Sequence, residues 1–255
     1  MQIAYMIIFF ILGTCMGSFY TVIGLRLPKK EKWITGRSHC DKCHHDLSLL
    51  DMVPILSYLF LGKKCRYCKE KISNLSTYME FFTGILFAIA YYAFGISGEF
   101  FIALGIISLL TIISVSDMTY YIIPDEVLIF FSAYFLIIIA ITEGVMPALF
   151  HILSGIVLFG FMYGIMLLGN KIFKKETLGG GDIKLMFVVG LIENPFLGIV
   201  IIFLSSFLAL PISLLILWKK KENLVPFGPF IVTSFLFTYF TKIDMQQVIE
   251  FIRSI

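Results

Sequence analysis

Only 15% of the 255 residues carry charge, while 59% are hydrophobic and the mean hydropathy is +0.94. Soluble domains hold about a quarter charged residues, so this chain cannot cover itself with polar surface, and a soluble globular fold is excluded. The net charge of +3 is concentrated in one loop, which leaves no basic face for nucleic acid. The first residues, Met1-Gln2-Ile3-Ala4-Tyr5, have neither a basic n-region nor a small-x-small cleavage site after the apolar run, so the first segment reads as a retained helix. A Walker loop, an HExxH helix and a GxSxG elbow with plausible partners are also missing, which removes the common phosphate, zinc-protease and serine-hydrolase chemistries.

What the chain has instead is long apolar runs. A spanning helix needs roughly 20 apolar residues. Runs of that kind cover Gln2 to Gly24, Ser76 to Phe94, Phe100 to Ser116, Ile122 to Thr142, Pro147 to Gly169, Phe196 to Trp218 and Phe227 to Phe240. A shorter run, Gly181 to Ile192, counts as an eighth, imperfect span. The expectation is an all-α polytopic membrane protein of about eight transmembrane helices. Its domains would be a first helix (1–24), a polar loop (25–75) and a helical core of about seven helices (76–255).

Lys and Arg set the orientation. Eleven lie between Arg26 and Lys71. Lys171, Lys174, Lys175 and Lys184 flank the break before the short run, and Lys219, Lys220 and Lys221 follow the next span. With eight spans and the N-terminus outside, all of these fall on the cytoplasmic face, leaving only Lys242 and Arg253 outside. Removing the short span would spoil that pattern. Gly181 to Ile192 would rise only about 18 Å as a helix, against about 30 Å of hydrocarbon, so its cytoplasmic end, with Asp182, should lie below the membrane surface.

The polar loop carries Cys40-Asp41-Lys42-Cys43 and Cys65-Arg66-Tyr67-Cys68, twenty-one residues apart. Two CxxC pairs can complete a tetrahedral thiolate shell, and a reducing cytoplasmic setting argues against disulfides. Zinc held by Cys40, Cys43, Cys65 and Cys68 is the expected arrangement, with four unpaired surface thiols as the plainer alternative. A loop this polar has little core of its own, so metal would supply much of its folding energy. His39, His44 and His45 flank the first pair and could substitute as ligands. Cys15 sits inside the first span as a small apolar residue.

Charges inside spans are costly and usually functional. Glu80, Asp117, Asp125, Glu126 and Asp182 are the candidates. Asp117 closes the third span; Asp182 follows Gly179-Gly180-Gly181, where glycine permits close backbone approach at a helix start. Taken singly, Asp182 could be a helix cap and Asp117 a solvated helix end. The charge-derived topology puts both on the cytoplasmic side, an agreement not built into the count. Two carboxylates sharing a site cannot both ionise comfortably, so one holds a proton; one can then activate water while the other protonates the carbonyl oxygen or the leaving amine.

At these residues the sequence resembles the type IV prepilin peptidase family of GxGD aspartyl proteases, over nearly its whole length. Gly17-Ser18-Phe19 with Arg26-Leu27-Pro28 resembles the N-terminal signature. Ser38-His39-Cys40 to Cys43, Pro54, Ser57-Tyr58-Leu59, Cys65 to Cys68, Ile72-Ser73 and Glu80 follow the zinc-loop pattern. Asp117 with Ile123-Pro124-Asp125, Gly179 to Leu185 as a GxGD element, and Pro226-Phe227-Gly228-Pro229 complete the set. The sequence departs from the pattern at Tyr20-Thr21, Asp41 and Leu75-Ser76-Thr77, none of them in the aspartate motifs.

The resemblance implies an inner-membrane endopeptidase with Asp117 and Asp182 catalytic. Gly179, Gly180, Gly181, Asp125 and Lys184 would position the substrate, and Glu126 the chain or the substrate. Its partners would be prepilins or pseudopilins, with a basic leader ahead of an apolar helix in lipid, cut after the Gly between them. It also implies N-methylation of the new terminus with S-adenosylmethionine as donor. Three rival readings remain, one of them a structural scaffold of a pilus or secretion machine with both aspartates idle. A presenilin-like intramembrane protease shares the GxGD element but not the cysteine loop. A zinc-responsive transporter or channel would distribute its acids through the bilayer rather than gather them at one face.

Overall fold

The computed structural model describes residues 1–32, 42–43, 45–71, 74–174, 178–220 and 225–242, and among these it is helical apart from turns, loops and isolated bridge residues. Two compact units form, Met1–Ile96 and Ser97–Ile255.

The first unit contains α1 (Gln2–Arg26), the short α2 (Leu56–Phe60) and α3 (Asn74–Phe94). α1 and α3 meet at their backbones. A Cβ on Gly13 would lie 2.8 Å from the Gly84 Cα, and one on Gly17 would lie 2.9 Å from the Glu80 Cα. Gly13-x-x-x-Gly17 is thus a small-residue seam. Lipid gives helices no hydrophobic reason to associate, and close backbone packing supplies the contact instead.

The second unit contains α4 (Gly98–Tyr120), α5 (Asp125–Thr142), α6 (Val145–Phe173), α7 (Gly180–Gly190), α8 (Pro195–Lys220) and α9 (Gly228–Thr241). α4 is its axis: every residue from Gly105 to Asp117 is buried. α7 is buried on most sides as well, with Leu185, Met186, Val188 and Val189 fully enclosed. α6, in contrast, shows Leu149, Phe150, Leu153, Ile156 and Leu168 more than half exposed, the surface expected of a helix facing hydrocarbon. Ser108 and Thr111 on α4 return their hydroxyl protons to the Leu104 and Ile107 carbonyls, which satisfies them without water.

Among the described residues six helices are long and apolar enough to cross a membrane: α1, α3, α4, α5, α6 and α8. With α7 and α9, a helix stands at each of the eight expected spans, two of them shorter than the rest. The expected spans at Gly181–Ile192 and Phe227–Phe240 do form helices, but α7 has 11 residues and α9 has 14, so they rise only about 17 and 21 Å. Two ends also differ from the apolar runs. α4 continues through Asp117 to Tyr120, and the left-handed Tyr121 (φ 56) then stops it. α5 begins at Asp125 rather than Ile122, because Pro124 is fixed in extended backbone as its N-cap.

Candidate active site and thiol cluster

Asp117 stands in the last turn of α4 and is 6% exposed. Its Oδ2 accepts a hydrogen bond from the backbone N–H of Gly228, the first residue of α9, at 3.0 Å. Glycine is required for that approach. A Cβ on residue 228 would fall 2.9 Å from both Ile113 Cγ2 and Ile123 Cδ1, and 3.1 Å from Asp117 Oδ2.

Asp182 occupies the first turn of α7, with Gly179 as N-cap, and is half-buried. A carboxylate in a first helical turn is favoured by the unpaired N–H groups there. The three preceding glycines have different neighbours. A Cβ on Gly179 would sit 2.9 Å from Asp182 Oδ2, and one on Gly181 would sit 2.9 Å from the Ile123 Cβ; on Gly180 it would meet nothing within 4 Å. Ile123 is therefore a wedge touching both Gly181 and Gly228, packed between the helix start that carries Asp182 and the one whose N–H holds Asp117. The two acids are thus linked through one side chain, with Asp182 one residue after Gly181 and Asp117 held by Gly228.

Asp125 and Lys184 form an ion pair rather than standing apart. The Lys184 Nζ donates to Asp125 Oδ1 at 2.8 Å and to Oδ2 at 2.7 Å, joining the first turn of α5 to α7. Both side chains remain about half exposed. The pair lines a cleft of about 540 Å³ together with Leu128, Ile129, Ile156 and Phe159, and neither Asp117 nor Asp182 lines it. Glu126, at the same helix start, is exposed.

In the other unit, Cys43, Cys65 and Cys68 bring their sulfurs within 4.8 Å of one another. A small hairpin shapes the second CxxC. Lys64 bridges to Lys71, the Cys65 N–H donates to the Glu70 carbonyl at 2.8 Å, and the left-handed Lys69 (φ 60) returns its N–H to Cys65. Three thiols this close, with bond lengths to zinc of about 2.3 Å, suit three corners of a tetrahedral site. The expected fourth ligand, Cys40, lies outside the described residues, as do His39 and His44. His45 is engaged elsewhere: its ring stacks on Tyr67 at 3.6 Å and its Nδ1 lies 2.7 Å from the Asp46 carbonyl.

Two residues with clear jobs were not singled out for them in the sequence. Gly228 was visible only as part of Pro226-Phe227-Gly228-Pro229, and its N–H contact with Asp117 spans 111 positions. Glu80, a candidate because it is charged inside a span, is instead a clamp. It is 6% exposed and accepts from the Ile55 N–H at 2.8 Å and the Ser76 hydroxyl at 3.0 Å.

Fold and site together define a multi-pass membrane protein that brings two carboxylates together at helix ends and three thiols together in a loop. The family model for the bacterial peptidase A24 N-terminal domain matches residues 11–94, and that for the type IV leader peptidase family matches residues 104–214. A Bacillus subtilis protein named prepilin leader peptidase/N-methyltransferase is 35% identical over 240 residues, covering 91% of this chain and 92% of its own. Proteins of the same name from Myxococcus xanthus and Vibrio cholerae are 33% and 30% identical, over 71% and 94% of this chain and 54% and 98% of theirs. No solved structure matches the chain. The chain belongs to the type IV leader peptidase family, which sets aside the presenilin-like and transporter readings.

Proposed function

We propose that this chain is an aspartyl endopeptidase that removes the leader of type IV prepilins or pseudopilins, cutting after Gly at the cytoplasmic face of the inner membrane, and then methylates the new N-terminus. The observation that carries the reading is the pair of acids: Asp117 held by the Gly228 N–H at the end of α4, and Asp182 at the start of α7, with Ile123 packed against both Gly181 and Gly228. In the proposed reaction one carboxylate takes a proton from water as the oxygen attacks the carbonyl carbon of the Gly. The other acid, protonated, first supports the carbonyl oxygen and then gives its proton to the departing amine, so water is divided between the two products. The N–H of Gly228 orients the Asp117 carboxylate throughout. Lys184 and Asp125 act one step back, fixing α7 against α5 and so the placement of Asp182.

The orientation is inferred from the basic residues: those of the first loop, the α6–α7 break and the end of α8 lie on one face when the N-terminus is outside. A substrate with a basic leader in the cytoplasm and an apolar helix in lipid would present its scissile bond at that face. Cys43, Cys65 and Cys68, with Cys40, would hold a zinc ion whose contribution is the folding of the loop. S-adenosylmethionine is the inferred methyl donor. The cleft beside α5 does not suit it, because its walls are apolar and its two charged groups are already paired with each other, so no step of methyl transfer is derived.

The test is cleavage of a synthetic prepilin N-terminus by purified protein in detergent, read by product mass. Wild type should release a product beginning at the residue after Gly, and Asp117→Asn and Asp182→Asn should not. A further gain of one methyl mass on adding S-adenosylmethionine would establish the second activity. Normal cleavage by both variants would overturn the dyad.

A further inference from the structure

The segment between the two CxxC pairs has an apolar face that no described residue covers. α2 places Leu56, Leu59 and Phe60 at positions i, i+3 and i+4, one side of a helix. These residues are 51%, 62% and 86% exposed, whereas Tyr58, on the other side, is 7% exposed. A loop in water would be expected to hide such residues, and here the chain turns them outward.

Two hydrogen bonds fix where that face sits within its unit. The Ile55 N–H donates to the Glu80 carboxylate, and the Tyr58 hydroxyl donates to Asn74 Oδ1. Asn74 is the first residue of α3 and Glu80 the seventh, so α2 lies against the opening two turns of α3, within about 9 Å of its start. Those turns mark an interface: they carry Asn74, Ser76 and Thr77, and then Tyr78, 68% exposed, a residue type enriched at headgroup depth. Ile55 itself is held at φ 61 and ψ −52, a conformation a β-branched residue rarely adopts. The buried Glu80 carboxylate accepts the N–H of that residue, so the strained turn and the clamp are one feature. Leu61 and Gly62 separate α2 from Lys63 and Lys64, both exposed, and no acid occurs from Leu56 through Arg66.

We propose that Leu56, Leu59 and Phe60 form an interfacial anchor seated at the boundary between acyl chains and headgroups of the bilayer that α1 and α3 cross, with Lys63 and Lys64 meeting anionic phospholipid. An apolar face buried a few ångströms into that boundary and flanked by lysines is the usual arrangement of a segment lying on a membrane. The occupant is lipid rather than a second protein because α2 is tied to the turns of α3 that stand at headgroup depth. The consequence is that the Cys65–Cys68 turn, which begins five residues after Phe60, is held at a fixed height on the membrane surface. This rests on α1 and α3 spanning the bilayer and not on the peptidase reading.

The test places the full chain, with Trp33→Phe and Trp218→Phe, in nanodiscs and adds Phe60→Trp as reporter, with Glu70→Trp in a parallel sample. The lipid is phosphatidylcholine with or without phosphatidylglycerol. Phosphatidylcholine spin-labelled near the top of the acyl chain should quench most of the indole emission of the Phe60→Trp sample, and iodide should quench that sample several-fold less than the Glu70→Trp one. Ready quenching of the first reporter by iodide without quenching by the lipid label would overturn the anchor, as would protection from both, which would mean that protein covers the face. Equal iodide access with and without phosphatidylglycerol would remove the anionic-headgroup part. On the unmodified chain, a phosphatidylglycerol bearing a diazirine near its glycerol should label the peptide containing residues 54–61; label confined to the spanning helices would also overturn the proposal.

Discussion

The aspartate site and the thiol loop are built on opposite plans. Around Asp117 and Asp182, position comes from packing: α4 and α7 are buried along most of their length, and Ile123 fills the space that Gly181 and Gly228 leave open. Around Cys65 and Cys68, position comes from a few polar contacts, from left-handed Lys63 and Lys69, and from convergence of the sulfurs. The contrast shows what each region loses when one side chain is changed. A functional group removed from a packed helix end costs chemistry and leaves the fold; a ligand removed from a loop with little core costs the local fold itself.

The sharpest separation should come from the acids. Asp117→Asn and Asp182→Asn each keep size and lose proton transfer, so turnover of a synthetic prepilin should fall by at least ~10²-fold while helical circular dichroism is unchanged. An effect of similar size but opposite kind is expected from Cys43→Ser with Cys65→Ser. Bound zinc, measured by mass spectrometry of the purified protein, should be lost, and limited proteolysis should open residues 42–71. Protection of α4 and α7 in hydrogen exchange should stay as it was.

Gly228→Ala probes the packed plan from within. Its new methyl would press on Ile113, Ile123 and Asp117 Oδ2, an overpacking cost of about 1–3 kcal/mol, with turnover reduced far more than substrate affinity. Gly180→Ala, with open space around it, should leave the rate near wild type. The smallest effect belongs to the ion pair. Lys184→Ala should change stability by less than ~1 kcal/mol, because both partners are half exposed. Its cost should appear as a few-fold loss of turnover, recovered when Lys184→Asp is combined with Asp125→Lys.

The helices were legible because their apolar runs are long; a shared face for Asp117 and Asp182 is an expectation drawn from the distribution of Lys and Arg. The apolar runs could not locate the helix ends at Tyr121 and Pro124, since hydropathy does not register a left-handed residue or a fixed φ. The shortness of α9 was legible, since the apolar run Phe227 to Phe240 is no longer than the helix Gly228–Thr241. The contacts of Gly228 with Asp117 and of Glu80 with Ile55 join residues 111 and 25 positions apart, beyond any local pattern. Ile123 was visible only as part of Ile123-Pro124-Asp125, without its role, because an isoleucine beside a proline reads the same whether it wedges a site or faces lipid.

The eleven-residue α7 has a pharmacological consequence. The helix is roughly half as long as the hydrocarbon is thick, and Asp182 at its first turn is half-buried rather than enclosed. An inhibitor series graded from polar to lipophilic, assayed on the protein in nanodiscs, would read from its potencies how deep that carboxylate lies.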